Sequence, residues 1–242
     1  MKLGAKSAAI AMAMATAIGC SAPVSDPRGS AASRSPAYSS STAVSSSPAV
    51  GPSLREVLAA ARVAEYAVVY MIVERHGRDS ATGEQSWFVK PPRERFDSSV
   101  EVAGQRTTTS LFALVDGTFL CSRDSTRSMC LAMSGRSSAL QQNESASVHE
   151  QLVQHPEQFD GVLVDTTQIA GQQAYCYGVK AVTVQASGLA DGRFCYSARG
   201  IPLLLRFSTQ GAEVSMVATR LSASVSDSDF LLPGTPKTPR QF

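Results

Sequence analysis

From Ser53 onward the apolar side chains fall in patterns whose period changes along the chain. Ser53-Leu54-Arg55-Glu56 places Ser where an N-cap belongs and Glu three positions later, the sequence of a capping box. Leu54, Val57, Leu58 and Ala61 follow at helical spacing on one face, which predicts a short amphipathic helix. The period then drops to two. Across 66–75, Tyr66, Val68, Tyr70 and Ile72 share one face, and Ala67, Val69, Met71 and Val73 the other. A strand apolar on both faces is expected to be covered on both sides.

The next stretches read as a meander. A polar turn is expected at 77–83, then a strand at 85–90 that carries the only tryptophan, Trp87. Pro91-Pro92 interrupts pairing, since proline has no N–H to give to a ladder. Extended structure resumes at 93–101 and 106–115, Asp116-Gly117 is a hairpin signal leading to 118–122, and 127–133 returns antiparallel. From 134 to 154 glycine, serine and polar residues predict a loop and a broken helix. Ser147-Val148-His149-Glu150 reads as a second capping box, with Pro156 as the stop. Strands are expected over 162–184, 193–208 and 212–225, and Asp227 to Pro233 closes one domain of about 53–233, leaving a frayed tail at 234–242. Strands follow strands rather than alternating with helices, so the class is α+β with an antiparallel sheet.

The N-terminus follows other rules. Lys2 and Lys6 precede an apolar run from 7 to 19 that is too short to span a bilayer, so 1–19 reads as a cleaved secretory signal. It ends Ala17-Ile18-Gly19-Cys20, similar to the lipobox of bacterial lipoproteins, in which the cysteine is acylated and the signal cut before it. Cys20 is therefore the expected lipidation site, and the expected location is outside the cytoplasm, held to the cell membrane by that lipid. The stretch 20–52 is mostly Ser, Ala, Pro and Gly, too poor in apolar side chains to offset its ordering entropy. It is expected to be a flexible tether with a relaxed span of roughly 30 Å. Without Lys2 and Lys6 the basic and acidic side chains are equal in number. A neutral chain with no basic stripe lacks the footprint of a nucleic-acid binder.

Five cysteines are present, and setting Cys20 aside leaves four, which allow three pairings in an oxidising compartment. Placing Cys121 opposite Cys130 also sets Leu120 against Leu131. Placing Cys176 opposite Cys195 sets Tyr175 against Tyr196 and Tyr177 against Phe194. Both registers match like with like across strands, which favours disulfides Cys121–Cys130 and Cys176–Cys195. No C-x-x-C spacing points to metal or redox chemistry instead.

Candidate chemistry is sparse. His149-Glu150 and His155 lie near one another, but a metalloprotease helix needs histidines four apart, and these are six apart with Pro156 following. They are expected to be solvated, as is His76 beside a turn. No nucleophile elbow, phosphate loop or dinucleotide fingerprint occurs. Asp97, Asp116 and Asp124 are expected at strand ends or turns, serving the backbone, and Arg123 with Asp124 at a solvated hairpin tip. No enzyme activity, cofactor or metal is expected. Tyr66, Val68, Tyr70, Ile72, Trp87 and Phe112 are candidates to line an apolar cavity, with a filled core as the other reading.

Trp87-Phe88-Val89-Lys90-Pro91-Pro92-Arg93, Leu114-Val115-Asp116-Gly117, Ile169-Ala170-Gly171-Gln172 and Asp227-Ser228-Asp229-Phe230-Leu231-Leu232-Pro233, in this order of elements, resemble the LolA/LppX-like family of bacterial lipoprotein and lipid carriers. The resemblance implies a half-open barrel, one strongly curved antiparallel sheet wrapped around a few short helices. It also implies a non-catalytic role: binding lipid, acyl chains or an acylated protein in an apolar cavity. The alternative is an envelope protein-binding or sensor module of the RseB-like kind, without lipid cargo. Neither ligand, partner nor oligomeric state follows from these residues.

Overall fold

A computed structural model describes residues 51–102, 105–134, 143–182, 191–209 and 212–237. The signal, Cys20 and nearly all of the expected tether lie outside these residues, as does most of the loop before the second helix. Among them one sheet dominates, antiparallel except at one short edge strand; the strands beginning at Pro236, Ser128, Gly117, Gln105, Arg93, Asp79, Tyr66, Ala212, Pro202, Asp191, Gln172 and Phe159 lie side by side in that order. It is strongly curved and does not close. Two helices pack on its inner face, giving the α+β half-open barrel expected from the sequence.

Helix α1 spans Leu54–Ala61 and begins with the expected capping box, Ser53 and Glu56 each bonding the other's backbone. Leu54, Val57, Leu58 and Ala61 are its buried face. Strand β1 (Tyr66–His76) buries Tyr66, Val68 and Tyr70, but Met71 on the other face is 56% exposed. The expectation of cover on both sides is corrected here: apolar composition alone does not show which face meets solvent. Strand β2 (Asp79–Lys90) starts well before 85, because a two-residue turn at Gly77-Arg78 lets His76 pair with Asp79. Gly77 takes φ +61°, a conformation glycine enters without penalty. The Pro91-Pro92 turn leads to β3 (Arg93–Val102), followed by β4 (Gln105–Leu114), β5 (Gly117–Arg123) and β6 (Ser128–Met133). The hairpin signal at Asp116-Gly117 is displaced by one: the turn is Val115-Asp116, and Gly117 already pairs with Leu114.

Helix α2 covers Glu144–Gln154 and is capped by Asn143, whose side chain accepts from the Ala146 N–H. The capping box read at Ser147 is therefore wrong. Ser147 lies inside the helix, and the cap four residues earlier was hidden by a polar stretch with no apolar period. Pro156 does follow the helix end, opening a single 3₁₀ turn. The long strands expected beyond it are divided: β7 (Phe159–Ile169), β8 (Gln172–Ala181), β9 (Asp191–Tyr196), β10 (Pro202–Thr209) and β11 (Ala212–Ser222). Between β7 and β8 the two-residue turn Ala170-Gly171 has both φ angles positive. After β11, Asp227–Phe230 forms a 3₁₀ turn, and Pro236–Lys237 makes a short β12 parallel to β6 rather than fraying.

The registers explain the core. Leu221, Val68, Trp87, Phe96, Leu111, Leu120 and Leu131 stand opposite one another in turn across seven strands, a continuous apolar row on the inner face. Gly200, at φ +77°, lets a loop press against α1, where a Cβ would collide with the backbone of Val57 and Ala61. The outer face carries a smaller cluster of Phe112, Phe119, Cys121 and Cys130, covered by Leu232 of the C-terminal segment. Asp97 is not at a strand end. It sits within β3, bridged by Arg95, whose Nε and Nη2 donate to its two carboxylate oxygens at 2.8 and 2.6 Å. Asp124 does serve a turn, accepting from the Thr126 and Arg127 N–H groups. Cys121 bonds Cys130 and Cys176 bonds Cys195, with Cα separations of 4.0 and 3.9 Å at directly opposed positions.

Candidate functional site

The inner face is mostly filled. Val68, Tyr70 and Trp87 are buried to within 1%. Their polar atoms are satisfied internally: Trp87 Nε1 donates to Gln85 Oε1 at 2.8 Å, Gln85 Nε2 to Ser98 Oγ at 3.0 Å, and Tyr70 Oη to the Pro202 carbonyl at 2.8 Å. Of the six residues read as cavity candidates, Val68, Tyr70 and Trp87 are therefore core, and Ile72 packs at the core's margin. Phe112 belongs to the outer cluster, on the opposite side of the sheet. Tyr66 borders a cavity on the inner face, whereas Phe112 borders a separate, more polar one on the outer face.

The inner cavity is about 440 Å³ in volume and lies at one end of the half-barrel, within the range of small-molecule sites. Ala61, Tyr66, Val89, Phe96, Ala146 and Val153 give it apolar walls, and the Pro91-Pro92 turn forms part of its lip. Polar side chains also border it: Arg62, Glu94, His149, Glu150 and Gln154. Arg62 Nε and Nη2 donate to the Val153 carbonyl at 3.1 and 2.8 Å, so the end of α1 is tied to the end of α2 beside the opening.

His149 was expected to be solvated and is not. It lies half-buried with its ring centroid 5.5 Å from that of Trp87 and 5.9 Å from that of Tyr196. Its Nδ1 is 3.4 Å from Tyr196 Oη. Burial disfavours the cation and lowers its pKa to about 4, so the imidazole is neutral at physiological pH. Burial also raises the Tyr66 hydroxyl well above the usual phenol range, with the Glu94 carboxylate acting in the same direction. The site therefore presents neutral aromatic groups inside and charge at its border. The other two histidines are exposed as expected, His155 beside Glu157.

Most of the cavity's walls were missed in the sequence. Ala146, His149 or Glu150, and Val153 recur at helical spacing and so share one face of α2, a signal hidden by starting the helix at Ser147. Glu94 and Phe96 lie two apart on β3 and gave no signal beyond alternation. Among the described residues no group of three or more His, Cys, Asp or Glu is placed to hold a metal ion.

No family model matches the chain. No curated protein matches it either. Solved structures do. MucB, also solved in complex with MucA, matches at 17% identity over 74% of this chain, TM-score 0.41. The chain spans only about 60% of MucB's length. LprF from Mycobacterium bovis matches at 8% identity over 72% of this chain and 94% of its own, TM-score 0.43. A LolA superfamily protein from Nitrosomonas europaea matches at 10% identity over 75% and 98%, TM-score 0.38.

Proposed function

We propose that this chain is a non-catalytic cell-envelope lipoprotein, tethered through Cys20, that binds one acyl chain or a similarly slender apolar ligand at the end of its half-barrel. The observation that carries this is the 440 Å³ cavity with apolar walls of Tyr66, Val89, Phe96, Ala146 and Val153 and a polar border. Burying an alkyl chain contributes about 0.8 kcal/mol per methylene, so such a site needs no specific polar chemistry. Its half-buried imidazole, neutral and packed at a tilt against aromatic rings, suits an apolar guest better than proton transfer near pH 7. The lipobox-like end of the signal supports anchoring, and among the described residues no helix is long and apolar enough to cross a membrane.

A second reading, a protein-binding module without lipid cargo, draws on a different observation: most of the inner face is solidly packed, and the opening beside Tyr66 is modest in size. Native mass spectrometry of the secreted chain, followed by organic extraction, separates the two. An added mass that extracts as lipid, together with uptake of a fluorescent fatty acid that Ala146→Trp abolishes, supports the carrier. A bare mass and no uptake by the wild-type chain overturns it and favours the module.

A further inference from the structure

Four tyrosines are buried in the main core: Tyr66, Tyr70, Tyr177 and Tyr196. Three of their hydroxyls end on a partner within the chain: the Pro202 carbonyl at 2.8 Å, the Pro52 carbonyl at 2.6 Å and His149 Nδ1 at 3.4 Å. Tyr66 differs. It is only 2% exposed, yet among the described residues its hydroxyl has no hydrogen-bond partner. Every fully enclosed side-chain nitrogen or oxygen among these residues does have one. The Tyr66 Oη is therefore not enclosed, and the space it meets is the inner cavity that Tyr66 lines. Tyr66 pairs with Val89 and Val89 with Glu94, so the three stand in one cross-strand row at the end where that cavity opens. Two strand spacings set Glu94 roughly 10 Å from Tyr66, with only the short Val89 side chain between them. Glu94 and Glu150 border the opening against one cation, Arg62, which is already turned to the Val153 carbonyl. His149 is neutral and adds no positive charge.

We propose that Tyr66 sets the specificity of this cavity: its hydroxyl donates to the carbonyl oxygen of a neutral acyl ester, whose alkyl chain lies among the apolar walls and whose alcohol part stays at the polar border. The proposal rests on the cavity being the ligand site. A buried donor with no partner in the chain calls for an acceptor on the guest, since a guest that cannot accept leaves the donor unmade. The acceptor is a neutral one because of what surrounds it. A carboxylate placed at Tyr66 would meet the like charge of Glu94 across a low-dielectric gap, whereas an ester carbonyl accepts the same hydrogen bond without bringing a charge inside. The order of groups also fits. Tyr66 stands near the mouth, Ala146, Val153 and Phe96 give apolar walls, and an ester carbonyl is the joint between an alkyl chain and a polar alcohol. A site that hydrogen-bonds its guest rejects the analogue lacking that group more strongly than an apolar wall counts methylenes.

The test uses the full secreted chain carrying Cys20→Ser, so that no lipid attached at Cys20 competes for the cavity. Three compounds with the same dodecyl chain length are competed near neutral pH against N-phenylnaphthylamine, a neutral fluorescent probe of apolar sites. They are the glycerol monoester of dodecanoic acid, the glycerol monoether of dodecanol, which lacks the carbonyl, and dodecanoate, which is charged. The ester is expected to displace the probe at about tenfold lower concentration than the ether or the carboxylate. Tyr66→Phe should bring the ester down to the level of the ether and leave the ether where it was, which also shows that the variant's cavity is intact. Equal binding of ester and ether by the parent chain overturns the proposal, the hydroxyl then holding water alone. So does an ester advantage that survives Tyr66→Phe, or dodecanoate binding as tightly as the ester. In those three cases the compounds still enter the cavity and the carrier reading stands. If none of the three displaces the probe from the parent chain, the carrier reading falls and this proposal with it.

Discussion

Arg62 holds the carbonyl of Val153 with two donors, at 3.1 and 2.8 Å, across 91 residues of sequence. Helix α2 has no basic residue in its own last turn, so the cation that complements its C-terminal dipole comes from the end of α1. Hydrogen bonds involving a charged group contribute about 1.5–3 kcal/mol when buried. With the guanidinium partly exposed, Arg62→Ala should cost about 1 kcal/mol, read as a lower urea midpoint at unchanged slope. Because the bond braces one side of the cavity, fatty-acid affinity should fall in the same variant, and Arg62→Lys should recover only part of either loss.

His149 makes stability depend on pH in a defined direction. Its folded pKa is about 4, below the ordinary histidine value near 6.5, so the unfolded chain binds the proton more readily. The stabilising contribution of the neutral ring is complete above about pH 6.5 and is lost as pH falls toward 4, by at most about 3 kcal/mol and less in proportion to its residual exposure. Urea midpoints measured between about pH 7 and pH 4.5 should fall in the wild-type chain. In His149→Leu that part of the slope should vanish, while the contribution of the carboxylates remains.

The two disulfides close loops of different length, with sequence separations of 9 and 19. On the chain-entropy model they contribute about 2.5 and 3.2 kcal/mol. Their surroundings differ more than their loops: Cys121 and Cys130 sit in the small outer cluster, Cys176 and Cys195 in the main core. Replacing Cys121 and Cys130 with alanine should raise hydrogen exchange mainly in β5 and β6. Replacing Cys176 and Cys195 should lower the global midpoint and accelerate exchange through β8 to β10.

Ala170 adopts φ +48° in the β7–β8 turn, followed by Gly171 at +74°. A left-handed conformation costs a residue with a Cβ about 1–2 kcal/mol, and two-residue turns of this handedness favour Asn-Gly. Ala170→Asn should therefore stabilise by up to about 1 kcal/mol, less any packing lost where Ala170 touches the core. Gly171→Ala should act in the opposite direction. Thermal midpoints of the two variants check both signs.

How far the sequence could be read followed the period of each element. Alternation over 66–75 and the Cys121/Cys130 and Cys176/Cys195 registers were legible because cross-strand partners match one another directly. Helix α1 was legible because its cap and its apolar face coincide. Helix α2 was not, since Asn143 follows a polar stretch and Ser147-to-Glu150 imitates a cap inside the helix. The cavity was misplaced for a related reason. Periodicity identifies a face as apolar but not where that face stays uncovered, and Trp87 and Tyr70 are sealed in by helices whose position depends on contacts distant in sequence. His149 was misjudged because nothing local to it reports Trp87 and Tyr196, which close over it from other strands.

Tyr177 donates its hydroxyl to the Pro52 carbonyl at 2.6 Å, immediately ahead of α1. Burial holds that phenol in its protonated, donating form, with its pKa pushed up to about 12. Tyr177 lies on β8 next to Cys176, which is cross-linked to β9, while the cavity opens at the other end of α1, a helix about 12 Å long. Mechanical tension on the chain ahead of Pro52 would thus enter the molecule at a covalently stapled hairpin before it could unwind α1. The segment ahead of α1 is thus fastened to a cross-linked hairpin, at the end of the helix opposite the cavity.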